Sequence, residues 1–239
     1  MSPELAPLAA DFAVTREALH QLAFFAVAPK RYLAAGRLGL RATGAGFGTP
    51  PFADGEQVVV EGSELAWQRS GDRTTAPITT VLDAASFLEI PYEVEWFADF
   101  HDPLRPADPS ALLEVSEEAS RQLGRWFEFA TEALERARRT DGAEEVSEVQ
   151  LWPEHFDAAM EMGSRKGQRA SYGGSPGDGN HGEPYLYVAA WGEIDRNDAF
   201  WNDEHFNGAS LGYSELVASG DPQEAALEFL VRGYRTLTG

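Results

Sequence analysis

Between Ser116 and Arg139 the residues Ala119, Leu123, Trp126, Phe127, Ala130, Leu134 and Ala137 recur at helical spacing. That periodicity predicts one long amphipathic helix with a single apolar stripe, and the stripe must be buried against another layer. Glu117 stands four residues before Arg121, a favourable pairing, and Arg136, Arg138 and Arg139 suit the negative end of the helix dipole. The stripe reads as core-facing structure, and the rest of the chain must supply what covers it.

Most of that cover reads as strand. Arg37 to Thr43 alternates, Gln57 to Glu61 and Glu64 to Arg69 flank the hairpin signal Gly62-Ser63, and Thr74 to Ile78 adds a further candidate. Later, Val146 to Leu151, Gln168 to Tyr172 and Tyr185 to Ala190 have strand character. A first helix is expected to start at Thr15 as N-cap and to end or kink at Pro29. Thr80 to Leu88 and Pro153 to Met162 read as short helices, the second closed by Gly163. A last helix opens at Asp221-Pro222 with Glu224 as capping partner. Strands and helices alternate without a regular βαβ rhythm. The expected fold class is therefore α+β, a largely antiparallel sheet with packed helices. We read residues 1–239 as a single compact domain. A two-lobed arrangement, 1–90 and 110–239 joined by the Pro-rich segment 91–109, stays open.

Charge narrows the partners. The 239 residues carry 39 acidic and 19 basic side chains, a formal charge of −20. Such a field disfavours nucleic acid and anionic membrane surfaces, and the short basic runs at Lys30-Arg31 and Arg136 to Arg139 do not reverse it. A polar or cationic small molecule is the expected kind of partner. The absence of cysteine excludes disulfides, thiolate nucleophiles and Cys-ligated metals. Residues 1–13 lack a signal-peptide pattern, and no apolar run reaches the roughly 18–20 residues of a membrane span. A soluble, cytoplasmic protein is expected, and its oligomeric state is not legible.

The richest candidate site is Ser171 to Trp191, a glycine- and proline-dense loop entering an aromatic strand. Its Gly173-Gly174-Ser175-Pro176-Gly177 fits the nucleophile-elbow pattern, but Pro176 has no amide hydrogen for an oxyanion hole and no helix follows. Ser175 is left as a ligand-contacting residue. Gly44-Ala45-Gly46-Phe47-Gly48 runs into Thr49-Pro50-Pro51 rather than into a helix, so it reads as a turn and not a phosphate loop. His155 and Asp157, two apart on the expected helix, point about 200° from each other and do not form a dyad. His101-Asp102 echoes a metal-binding dipeptide but stands alone. Asp178, Asn180, His181 and Glu183 offer metal-type ligands without a recognised ladder, so we expect neither metal nor cofactor.

What remains is a pocket. Tyr185, Tyr187 and Trp191 take one strand face and form its aromatic floor, with Leu186, Val188 and Ala190 on the other. His181 or His155 is the proton-transfer candidate, Asp178 or Glu183 its carboxylate partner, and Trp152, Trp201 and His205 are further candidates for the wall. The leading expectation is a small-molecule-binding protein or metal-free enzyme. A non-catalytic interaction module is the alternative, and a divalent-metal-dependent hydrolase the weaker one.

Asp221-Pro222, Ala225, Leu227-Glu228-Phe229-Leu230 and Tyr234, preceded by Leu211 and Tyr213, resemble a bacterial family known as domain of unknown function 5996. Phe156-Asp157-Ala158-Ala159 after Trp152 is similar to that family's tryptophan–phenylalanine–aspartate segment, with one extra residue between. The resemblance covers mainly the last ninety residues or so, and the Ser171 to Trp191 loop departs from it. It implies an α+β fold and no activity.

Overall fold

The computed structural model describes residues 5–93, 104–164 and 166–239. His101-Asp102 lies outside the described residues. The chain is α+β, and its sheets are antiparallel among the described pairings. It divides into two compact units, one of Pro7–Arg125 with Leu151–Phe156, the other of Trp126–Gln150 and Asp157–Gly239 with the described part of Met1–Ala6. The division falls inside the long helix, after Arg125.

The first unit opens with α1 (Phe12–Leu22), a π-helical turn over Ala23–Val27 and α2 (Ala28–Ala35) in one continuous run. The helix begins before Thr15, not at it. Thr15 is buried, and its hydroxyl accepts the Ser116 amide at 3.0 Å, so the expected N-cap serves a distant segment instead. Pro29 does not end the helix, which continues to Ala35. A proline there lacks an amide and collides with the carbonyl four residues back, and the π-turn just before it is the local widening that absorbs this. The run stops at Gly36, which takes φ 66°.

Five strands follow as a meander: β1 (Arg41–Thr43), β2 (Gly46–Gly48), β3 (Gln57–Glu61), β4 (Glu64–Arg69) and β5 (Asp72–Pro77). The Gly62-Ser63 hairpin is present, with Glu61 opposite Glu64. Residues 37–39 are not strand; Leu40 makes an isolated bridge to Leu151 and the ladder starts at Arg41. The glycine-rich stretch 44–48 is a hairpin turn and strand, as its sequence context requires. α3 (Val81–Phe87) is capped by Thr80, whose hydroxyl accepts the Asp83 amide at 3.0 Å. Val81 joins Phe24 and Phe25 in a buried apolar cluster.

The long helix α4 (Glu117–Ala137) has every residue of the predicted stripe buried. Its first turns lie against the first unit's sheet at the closest approach two backbones allow. A Cβ on Gly124 would stand 2.7 Å from Gly46 Cα.

The second unit holds the sheet β11-β10-β9-β8-β6, made of β6 (Ala143–Glu144), β8 (Asp157–Ser164), β9 (Arg169–Ser175), β10 (Tyr185–Ala190) and β11 (Gly208–Gly212). The short β7 (Gln150–Trp152) is what the 146–151 prediction becomes. The expected helix over Pro153 to Met162 is wrong: residues 153–156 turn, Phe156 takes φ 54°, and β8 follows. Alanine and methionine favour helix in isolation, but pairing with β9 overrides that preference. The predicted loop from Ser171 likewise begins as strand, so the irregular part is only 176–184.

Register sorts this sheet into two faces. Met160, Tyr172 and Val188 lie in one row of the apolar face, and Ala158, Gly174 and Leu186 in the next. α4 covers Gly174, where a Cβ would stand 2.5 Å from Ala130 Cβ. α5 (Tyr213–Ala218) and α6 (Pro222–Thr238) close the unit, and Gly233 lets α6 down onto Val188. Asp221 caps α6 as predicted, accepting the Glu224 amide at 3.1 Å, while the Glu224 carboxylate reaches Arg136 rather than closing a capping box.

Gly124→Ala is expected to cost about 1–3 kcal/mol, the range for overpacking, because both atoms that must separate are backbone. Chemical denaturation of the variant beside Ala133→Gly, a change in the same helix that removes a methyl instead, measures it. An unchanged midpoint for Gly124→Ala removes the close approach as a constraint.

Candidate functional site

The opposite face of the second sheet is polar. Ser175 and Tyr185 stand opposite each other on β9 and β10, with Asp157 on the same face of β8, and Ala159, Gly173 and Tyr187 form the next row. Gly173 has no side chain because Tyr187 occupies the space: a Cβ there would stand 2.5 Å from the tyrosine hydroxyl oxygen. Laid across the sheet in this way, Tyr187 donates its hydroxyl hydrogen to Asp157 Oδ2. Asp157 is buried. Burial and then the neighbouring Asp157 carboxylate push the Tyr187 hydroxyl well above its ordinary value.

Beside it the loop 176–184 folds back. The Asp178 amide donates to the His181 carbonyl at 2.8 Å, while Asp178 Oδ1 accepts the amides of Asn180 at 2.6 Å and His181 at 2.9 Å. This is a tight Asx-type turn, the conformation in which aspartate side chains replace backbone partners. Tyr185 donates its hydroxyl hydrogen to Asp178 Oδ2 at 2.7 Å. Burial alone would raise the Asp178 carboxyl, but Tyr185, the two amides and the His181 ring outweigh it, so it titrates below the usual carboxylate value. Burial is also the main reason that the Tyr185 hydroxyl titrates above its ordinary value, with Asp178 adding to it.

His181 stands at the centre. Its ring stacks on Tyr185 with centroids 4.1 Å apart, and His205 meets it edge-on at 5.3 Å. Nε2 lies 2.9 Å from Asp203 Oδ2 and Nδ1 lies 3.4 Å from Asp178 Oδ1. The Asp203 side chain is 2% exposed and that of His181 18%. A buried carboxylate against Nε2 makes that nitrogen the donor and fixes the ring, the orienting role that carboxylates play for working histidines. Burial would raise Asp203 too, yet the Ser210 hydroxyl, the His205 amide and the His181 ring hold it below the usual carboxylate value.

Of the predicted residues, the fold brings together Asp178, His181, Tyr185 and Tyr187, with Ser175 buried beside them. Ser175 Oγ accepts the Gly177 amide at 3.2 Å, so its hydroxyl is engaged in the turn. Glu183 is not at the ring. It holds the start of α5, accepting the Ser214 amide at 3.2 Å and the Ser214 hydroxyl at 2.6 Å. Trp191 is no floor: it is 57% exposed, donates to Ser171 Oγ at 3.0 Å and carries Arg169 over its ring. Trp152 and His155 are exposed residues of the first unit. Trp201 is buried.

Sequence reasoning missed two carboxylates. Asp157 was assigned to a helix, and recognising β8 would have placed it on the tyrosine face. Asp203 has no local signal, since it lies in an irregular segment 22 residues from His181. Among the described residues, no three His, Asp or Glu side chains are grouped as a metal site needs. No described helix is long and apolar enough to cross a membrane.

No family model matches the chain, and neither curated proteins nor solved structures yield a match.

The titration shifts set two flanks of a stability profile. Asp178 and Asp203 titrate lower when folded, so their contribution is full above the unfolded carboxylate value near 3.8 and is lost as pH falls below it. Tyr185 and Tyr187 titrate higher when folded, so theirs is full below the unfolded value near 10.0 and is lost as pH rises beyond it. Denaturant melts between pH 8 and 11.5 are expected to show a fall above pH 10 that Tyr185→Phe/Tyr187→Phe reduces. An identical alkaline slope in that variant contradicts the assignment.

Proposed function

We propose that the second unit binds a small polar or cationic molecule at the His181 cluster and exchanges a proton with it through the imidazole. One observation carries this reading: His181 has a carboxylate beside each ring nitrogen and a tyrosine ring beneath it. The two nitrogens are not equivalent. Nε2 is held by buried Asp203, whereas Asp178 already accepts two amides and a tyrosine hydroxyl, and its contact with Nδ1 is the longest of the set. Nδ1 is thus the nitrogen that a ligand engages, on a side chain that keeps some solvent access.

The choice of ligand follows from charge and surface. Asp157, Asp178 and Asp203 supply negative charge, Tyr185, Tyr187 and Phe206 supply aromatic faces, and the chain carries −20 overall. Amines and other small cations are drawn to such a combination. Proton transfer needs the partner within hydrogen-bond reach, which Nδ1 meets for a ligand donor or acceptor resting against Asp178.

Ethanolamine, guanidinium and choline titrated against the protein, with glycerol and acetate as neutral and anionic controls, test the reading by NMR of the His181 ring. The cations are expected to shift the ring signals, and His181→Asn to weaken their binding about tenfold or more, as loss of a charged hydrogen-bond partner does. If no cation perturbs the ring, or His181→Asn binds them equally, the proposal fails and the interaction-module reading takes its place.

A further inference from the structure

The second unit holds a separate cavity of about 410 Å³ between the C-terminal end of α4 and the α6 residues Leu227 to Arg235. We propose that it is a binding site for a small organic anion, a carboxylate or phosphate head on an apolar body. Its walls invert the charge of the chain. Arg136, Arg139 and Arg235 line it with a single carboxylate, Asp141, although acidic residues outnumber basic ones by 39 to 19 overall.

These arginines are not all consumed by the fold. Arg136 reaches Glu224 at 2.8 Å and the Gln223 carbonyl at 3.3 Å. Among the described residues, no carboxylate lies within ion-pair distance of Arg139 or Arg235. Nor do the helix ends require them. The last carbonyls of α4, at Leu134, Arg136 and Ala137, accept the amides of Arg138, Arg139 and Thr140, and Ala137 also accepts the Thr140 hydroxyl. The carbonyls of Thr238, which ends α6, and of the following Gly239 accept Lys166 Nζ at 3.0 and 2.9 Å.

The α6 part of the lining also carries apolar side chains. Leu227 and Val231 are successive turns of one α6 face, and the Tyr234 ring continues it. A guanidinium binds carboxylate or phosphate through two parallel N–H donors, while apolar side chains beside it take the remainder of the ligand. The volume lies in the range of small-ligand pockets, roughly 300–1,000 Å³. This site shares no residue with the His181 cluster, and its ligand has the opposite charge.

Isothermal titration with phenyl phosphate and phenylacetate tests it, with benzyl alcohol and inorganic phosphate as controls lacking the charge and the apolar body. At least one of the two aryl anions is expected to bind, more weakly at high salt, and which one does so distinguishes a phosphate from a carboxylate head. Arg139→Gln/Arg235→Gln is expected to weaken that binding about tenfold or more, with an unchanged circular dichroism spectrum. Val231→Glu, which sets a carboxylate among the apolar side chains, is expected to abolish it while leaving ethanolamine binding at His181 intact. The inference is overturned if neither aryl anion binds at millimolar concentration, if benzyl alcohol or inorganic phosphate binds as well as they do, or if the double variant binds unchanged.

Discussion

Two adjacent glycines in β9 govern how closely both faces of the second sheet are covered. Gly174 points at α4, where a Cβ would meet Ala130, and Gly173 points the other way, where a Cβ would stand 2.4 Å from the Tyr187 ring. Any side chain at the first lifts the helix from the sheet. Any side chain at the second lifts the tyrosine, and with it the hydroxyl that reaches across to Asp157. The apolar core and the polar cluster therefore depend on the same two positions, on opposite sides of one strand. Close packing makes such positions intolerant of even one methyl group.

The polar face assembles around hydrogen-bonded carboxylates. Asp157, Asp178 and Asp203 each take hydrogen bonds from groups on other elements or turns, which is what allows three acids to sit in and around a partly buried cluster in a chain already carrying −20. Tyrosine hydroxyls are suited to this role, because they donate to a carboxylate while their rings cover apolar surface. His181 joins two of the acids, with one beside each of its ring nitrogens. Beside the C-terminal end of α4 and along α6 the same unit gathers Arg136, Arg139 and Arg235 around one cavity.

Much of the fold was legible because its elements announce themselves locally. The stripe of α4, the Gly62-Ser63 hairpin, the Asp221 cap and β10 all depend on residues within a few positions of one another. The errors lie where a distant partner decides. Pro153 to Met162 reads as helix until β9 pairs with it, and Thr15 reads as an N-cap until its hydroxyl is needed by Ser116. Pro29 reads as a terminator because a π-turn has no sequence signature of its own. In the site, Asp178, His181, Tyr185 and Tyr187 belong to one short stretch and were found together, whereas Asp203 is brought in by the segment after β10.

Alone, the sequence determined the α+β class, the apolar stripe of α4, the exclusion of cysteine chemistry and the neighbourhood of His181, since periodicity, composition and near-neighbour spacing are local properties of a chain. Tertiary structure decided which carboxylates meet the histidine, that Glu183 supports α5 and Trp191 faces solvent, and that arginines from two helices share a cavity. Those outcomes follow from strand register and helix placement, which are set by contacts between residues far apart in sequence and leave no pattern within any short segment of it.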